Sequence, residues 1–176
     1  MIADKEIING VRRNPEQGYR QLMRQCREPV YWHIRRLVVL HEDAQDATQE
    51  TFVRVFRSID KFKGDCSLMA WIYRIATNEA LRIIGRRCHV SSSLDDCDTV
   101  AHNIADDEYV DYADVEAVKL QKVILSLPAK QQLAFNMRYY DEMSYDEIAK
   151  VMDSTPSAVK ANYHVAKEKI TKSMNS

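Results

Sequence analysis

Glycine and proline are scarce, with four of each in 176 residues. That is too little turn chemistry for an all-β fold and predicts long helices. The glycines, Gly10, Gly18, Gly64 and Gly85, lie far apart, so no glycine-rich loop can cradle a phosphate. No apolar run approaches the roughly 18 residues of a membrane-spanning helix. The opening MIADKEIING has no signal-peptide core. Both absences predict a cytoplasmic protein with no membrane insertion. The four cysteines, Cys26, Cys66, Cys88 and Cys97, include no C-x-x-C pair and are read as reduced thiols. Cys88, His89, Cys97 and His102 lack zinc-ligand spacing, so neither metal nor cofactor is expected.

What is present is ordinary in bulk: 45% hydrophobic and 29% charged, with a net charge of −1. The neutrality dissolves when the chain is divided. Residues 1–90 carry 16 Lys and Arg against 11 acids, residues 91–120 one Lys against nine acids, and residues 121–176 eight against six. Two mildly basic blocks flank an acidic strip, so the whole-chain value does not exclude a nucleic-acid partner. The strip VSSSLDDCDTVAHNIADDEYVDYAD lacks a sustained apolar stripe and reads as a flexible linker over residues 90–115. It divides the chain into a domain at 1–89 and another at 116–176, both all-α. A polar linker lets the two blocks rearrange and pack together with their basic faces hidden.

In the first block, one helix is predicted from about Pro15 to Leu40, with Pro29 as a candidate break or kink. A second begins near Glu42. Its Ala44, Ala47, Thr48, Thr51, Phe52, Val55 and Phe56 follow i, i+3, i+4, i+7 spacing and form the inward face. Asp46, Gln49, Glu50 and Arg54 then point elsewhere. After a break at DKFKGDCS, a third helix buries Leu68, Ile72, Ile75, Ala76, Ile83 and Ile84 and turns Arg74, Asn78 and Arg82 to another face.

The last block reads as four helices. EAVKLQKVILS is one, and Pro128 opens the next at its first helical position. Ser144 and Glu147 form an S-x-x-E capping box before a short helix. Asp153-Ser154 makes a turn, after which Thr155 caps and Pro156 starts the final helix. Short helix, tight turn, longer helix is the helix-turn-helix plan.

Three constellations bear on chemistry. The second helix of the hairpin presents Ser157, Lys160, Ala161, Asn162, His164 and Lys167, types that read bases and hold phosphates in a major groove. Spacing alone would also fit a plain helical hairpin with solvated lysines. The stretch from Phe62 to Arg87 mixes Trp71, Tyr73, Arg74, Asn78, Arg82, Arg86 and Arg87; aromatic faces stack on unpaired bases while cations hold the backbone. A core Trp beside a solvated Arg face is the alternative. Asp43, Asp46 and Glu50 invite a metal-hydrolase reading, but a lone i, i+4 carboxylate pair with no His near by on its helix favours a partner-binding or solvated face.

DAQDATQETFVRVFRSIDKFKGDCSLMAWIYRIATNEALRIIGRR resembles region two of a bacterial sigma factor, and LPAKQQLAFNMRYYDEMSYDEIAKVMDSTPSAVKANYHVAKEKI resembles region four. The two-domain length resembles the extracytoplasmic-function (ECF) group. The resemblance implies no enzyme activity, and implies core RNA polymerase, promoter DNA and an anti-sigma factor as partners. It implies that Asp43, Asp46, Gln49 and Glu50 dock on the clamp helices of the largest polymerase subunit, and that the C-terminal domain rests on the flap of the second-largest. It implies that the loop Lys63, Gly64, Asp65, Cys66 and Ser67 captures a flipped minus-ten base, with Trp71, Tyr73, Arg74, Asn78 and Arg82 holding neighbouring DNA. Arg138, Thr155 and the outward hairpin residues would contact the minus-thirty-five duplex. Asp153 stands where the family often has Gly in the turn, and Asn162 and Val165 stand where Arg is common. A stand-alone helix-turn-helix regulator and a metal-dependent hydrolase are the alternative readings.

Overall fold

The computed structural model describes residues 4–90 and 115–175. The helices in chain order are α1 (Asp4–Arg13), α2 (Pro15–Val38), α3 (His41–Ser58), α4 (Leu68–Val90), α5 (Val115–Leu125), α6 (Ala129–Tyr139), α7 (Tyr145–Val151) and α8 (Pro156–Met174). A single 3-10 turn, Ile59–Lys61, follows α3. Among the described residues there is no strand. Most of the predicted linker lies outside the described residues.

The N-terminal helices form one bundle. Asn14 caps α2 by accepting from the Gln17 amide at 3.2 Å, and Pro15 fills the first turn, where its missing N–H costs nothing. The helix α1 is an addition to the sequence reading. It docks where α2 carries Gly18: a Cβ there would collide with the Val11 backbone, so only glycine permits the approach. Pro29 does not end α2, which runs through it to Val38. The burial of Cys26, Val30, His33 and Ile34 on both sides of Pro29 outweighs one lost backbone hydrogen bond. The turn into α3 is made by Val39 at φ 66°, a left-handed conformation that a β-branched residue rarely adopts.

The C-terminal helices pack as anticipated. Ser144 and Glu147 complete the capping box of α7. Thr155 accepts from the Ala158 amide at 3.2 Å and caps α8. Asp153 takes φ 52°, which explains how Asp replaces Gly in this turn. Pro128 is the N-cap of α6 rather than its first helical residue. Ile124, Leu127, Phe135, Ala166 and Ile170 form a core joining α5, α6 and α8.

The two halves are not separate. α4 packs along α7, and α2 meets α6. One apolar cluster runs continuously from Leu22, Ile34, Leu68 and Ile72 into Met137, Met143, Ile148 and Val159.

Candidate polymerase and nucleic-acid interfaces

The acidic face of α3 is open. Asp46 and Gln49 are exposed and Asp43 and Glu50 half-buried. Glu50 accepts from Arg54 at 3.3 Å. Phe56, expected inside, is half exposed and meets Tyr19 edge-on at 5.0 Å. It and exposed Val53 extend the face of Asp46, Gln49 and Glu50 by whole helical turns. The signal was legible, because 46, 49, 50, 53 and 56 share one side of the helix; the apolar type of Phe56 argued the other way. Glu79, buried on α4, ties the helices together by accepting from Arg54 at 2.7 Å and Arg82 at 2.5 Å. Among the described residues no group of three or more His, Cys, Asp and Glu side chains could hold a metal ion. Cys97 and His102 lie outside the described residues.

The loop before α4 is held by the C-terminal half. Gly64 takes φ +81° and lets the chain reverse between exposed Lys63 and Asp65. Ser67 donates to Glu147 at 2.9 Å while its oxygen accepts from the Ala70 amide. Lys150 donates to the Asp65 carbonyl. Arg74 reaches Asp153 in the helix-turn-helix turn at 2.9 Å. Burial alone pushes the Glu147 carboxyl up, but hydrogen bonds from Ser144 and Ser67, with Lys150 near by, outweigh it and hold the group below its ordinary value. Burial raises the Cys66 thiol, so the loop cysteine is not activated.

The aromatic and basic residues of α4 divide. Trp71 is half-buried and lies 5.4 Å from Phe62. Asn78 and Arg82 are exposed. Tyr73 is not a surface residue: it is 4% exposed, stacked on His33 with ring centroids 4.5 Å apart, and burial raises its phenol. The period that puts Arg74 and Asn78 outside puts Tyr73 against α2.

The α8 face is different. Ser157, Lys160, Ala161, His164 and Lys167 are all exposed. Asn162 is half-buried, and its amide donates to the Ala158 carbonyl at 2.9 Å, folding back on its own helix rather than outward. The expected outward Asn is corrected to a flank position. Arg138 donates to the Met143 carbonyl at 2.9 Å, with its guanidinium over the Tyr145 ring, so it also braces the α6–α7 turn. The loop before α4 is held at Asp65 and Ser67 by α7 while Lys63, Gly64 and Asp65 stay exposed, and the α8 face is covered by no described residue.

A helical bundle with an acidic flank, a loop feeding an aromatic helix, and an exposed helix-turn-helix define a two-part DNA-binding protein with a protein-docking surface. The family description "Sigma-70 region 2" matches residues 22–88 and "Sigma-70, region 4" matches residues 117–170. The chain is 28% identical to the RNA polymerase sigma-H factor of Pseudomonas aeruginosa, over 97% of this chain and 93% of that protein. It is 27% identical to the ECF RNA polymerase sigma-E factor of Escherichia coli, over 96% and 93%. Its fold matches CnrH in complex with the cytosolic domain of CnrY, with a TM-score of 0.72 at 18% identity over 99% of this chain and 98% of that one. It also matches the sigma factor RpoE in complex with the anti-sigma factor NepR from Bartonella quintana, with a TM-score of 0.72 at 16% identity over 89% and 96%. The chain belongs to the sigma-70 family, as an ECF sigma factor acting in transcription initiation.

Proposed function

We propose that residues 1–89 dock on core polymerase and read and melt the minus-ten element, that 116–176 read the minus-thirty-five element, and that 90–115 link them. The reading has no enzymatic step and places the protein in the cytoplasm. No described helix is long and apolar enough to cross a membrane. The observation that carries it is the ordered pair of family-matched blocks on two helical units, each bearing the surface its role requires.

On this reading Asp43, Asp46, Gln49 and Glu50 meet the clamp helices of the largest subunit. Val53 and Phe56 supply the apolar centre that such an interface needs beside its charges. The flap of the second-largest subunit carries the C-terminal helices. Base capture falls to the loop Lys63–Ser67, with Trp71, Arg74, Asn78 and Arg82 along the opened strand. Capturing a flipped base offsets unpairing and unstacking costs of a few kcal/mol. Lys160, Ala161 and His164 face the upstream groove, and Lys167 and Arg138 its phosphates.

Glu147 and Lys150 hold the loop at Ser67 and Asp65, so on this reading polymerase binding frees it by separating α7 from α4. An anti-sigma factor would work in the opposite sense and keep the surfaces apart from polymerase; CnrH and RpoE are each seen with such a protein or a protein domain bound. The test is reconstitution of purified chain with core polymerase. Specific initiation that is absent from core alone, and lost on reversing Asp46 and Glu50 to Arg, supports the reading. A chain that leaves core polymerase unchanged contradicts it.

A further inference from the structure

The seam between the halves contains a built anion site. Asp141, in the turn between α6 and α7, has a side chain only 3% exposed. One carboxylate oxygen lies 2.8 Å from His33 Nδ1, and the other accepts from Arg36 Nη2. His33 is fully buried; its Nε2 lies 2.9 Å from the Thr77 hydroxyl, and its ring stacks on Tyr73. With a carboxylate on Nδ1, that nitrogen carries the proton and donates. Tyr140 lies over the Arg36 guanidinium at 4.8 Å. His33, Arg36, Thr77 and Tyr73 belong to the N-terminal bundle, and the anion comes from the other half of the chain.

Two features make this more than a clasp. Arg36 Nε is buried with no hydrogen-bond partner, so the carboxylate leaves one donor of the fork unused. An anion with more oxygens would use it. The site lies in the same seam between the halves as the Ser67–Glu147 and Arg74–Asp153 contacts, whose N-terminal members are assigned to the opened strand. When the halves part to release the loop, Asp141 and Tyr140 leave together. Arg36 is then left without a counter-charge and the His33 Nδ1–H without an acceptor, which is unfavourable until another anion arrives. On the sigma-factor reading, promoter DNA brings phosphates to the side of α4 that this seam covers.

We propose that His33 and Arg36 form a phosphodiester-binding site for promoter DNA, which Asp141 fills while the chain is closed. The proposal rests on the sigma-factor reading and assigns it a further contact. Asp141 stands in for the DNA backbone, so closure and DNA binding compete for the same donors. Arg36 also reads as sequence-independent, because it would meet backbone rather than base.

The test compares Arg36→Ala, Arg36→Lys and Asp141→Ala, each assembled with core polymerase. The probe is a duplex promoter fragment that the wild-type holoenzyme selects from a random-sequence pool. Arg36→Ala should weaken holoenzyme binding roughly tenfold or more. The loss should be equal across promoter sequences, with a salt slope shallower by about 0.9. Arg36→Lys keeps the charge and should keep the slope while losing part of the affinity; it serves if thermal unfolding shows that the Ala variant does not fold. Asp141→Ala should leave holoenzyme binding unchanged and raise binding by the free chain. Wild-type affinity and slope for Arg36→Ala in a normally assembled holoenzyme would overturn the site. So would Arg36→Ala behaving like Asp141→Ala, since Arg36 would then be a seam residue alone. If the wild-type holoenzyme selects no DNA, the sigma-factor reading fails and the phosphate site falls with it.

Discussion

The two surfaces proposed to face DNA stand in opposite states. The loop before α4 is gripped by Glu147 and Lys150, and Arg74 is engaged by Asp153. The α8 face, with Lys160 and His164, is open. The same helix-turn-helix thus does two things: its second helix stays exposed while its first helix and turn hold the loop before α4. The residue choice in the turn shows the difference. Asp153 satisfies the left-handed backbone as Gly would, but also supplies a carboxylate to Arg74. Asp in place of the family's usual Gly is therefore also a contact between halves.

The largest effect should come from reversing the charge at the seam. Asp141→Lys sets a cation against Arg36 and His33, where loss of one member of a buried pair costs about 3–5 kcal/mol. The free chain should expand in small-angle scattering, with α8 binding to upstream duplex unchanged. An unexpanded chain would show that Asp141 does not govern closure.

Next comes the open face. Lys160→Ala with His164→Ala should weaken binding to the upstream duplex, by about 1–3 kcal/mol if either makes a good base contact. Because α8 is already exposed, the free chain and the holoenzyme should lose affinity in equal proportion, measured by titration at matched salt. A loss confined to the holoenzyme would mean that α8 is covered in the free chain. Asn162→Ala, by contrast, should leave base preference nearly intact, since its amide is spent on Ala158.

The grip on the loop should also depend on acid. The Glu147 carboxyl is held below its ordinary value, so its contribution is fully present above the ordinary Glu range. It is lost as pH falls below that range and through the lowered value. The protection of loop amides, measured against their intrinsic exchange rate at each pH, should fall there in wild type and not in Glu147→Gln. The smallest effect belongs to Asp153→Gly. The exposed Arg74 pair contributes about 0–1 kcal/mol, and glycine relieves the left-handed backbone, so stability should change little while Arg74 is released. Thermal unfolding and loop exchange together would show both.

Much of this was legible in the sequence because its signals are local. The capping box at Ser144 and Glu147, the Thr155-Pro156 start and the helical period of α3 each sit within a few residues. The helix α1 has a local signal, Ile7 and Val11 at i, i+4 between acids in the first turn and arginines in the last, but where it docks is set by the bare backbone at Gly18. Phe56 and Asn162 sit at the margins of their helical faces, where spacing alone does not separate inward from outward. The seam could not be read at all. His33 and Asp141 are 108 positions apart, and nothing in either neighbourhood announces the other.

The central claim is that the free chain is closed over its melting loop and opens on polymerase. The most direct measurement is the distance between spin labels at Lys61 and Asp146, both exposed, introduced through a non-canonical amino acid so that the native cysteines remain. One short, narrow distance distribution in the free chain, lengthening when core polymerase is added, is the result this account predicts. A long, broad distribution in the free chain, unchanged by polymerase, would contradict it.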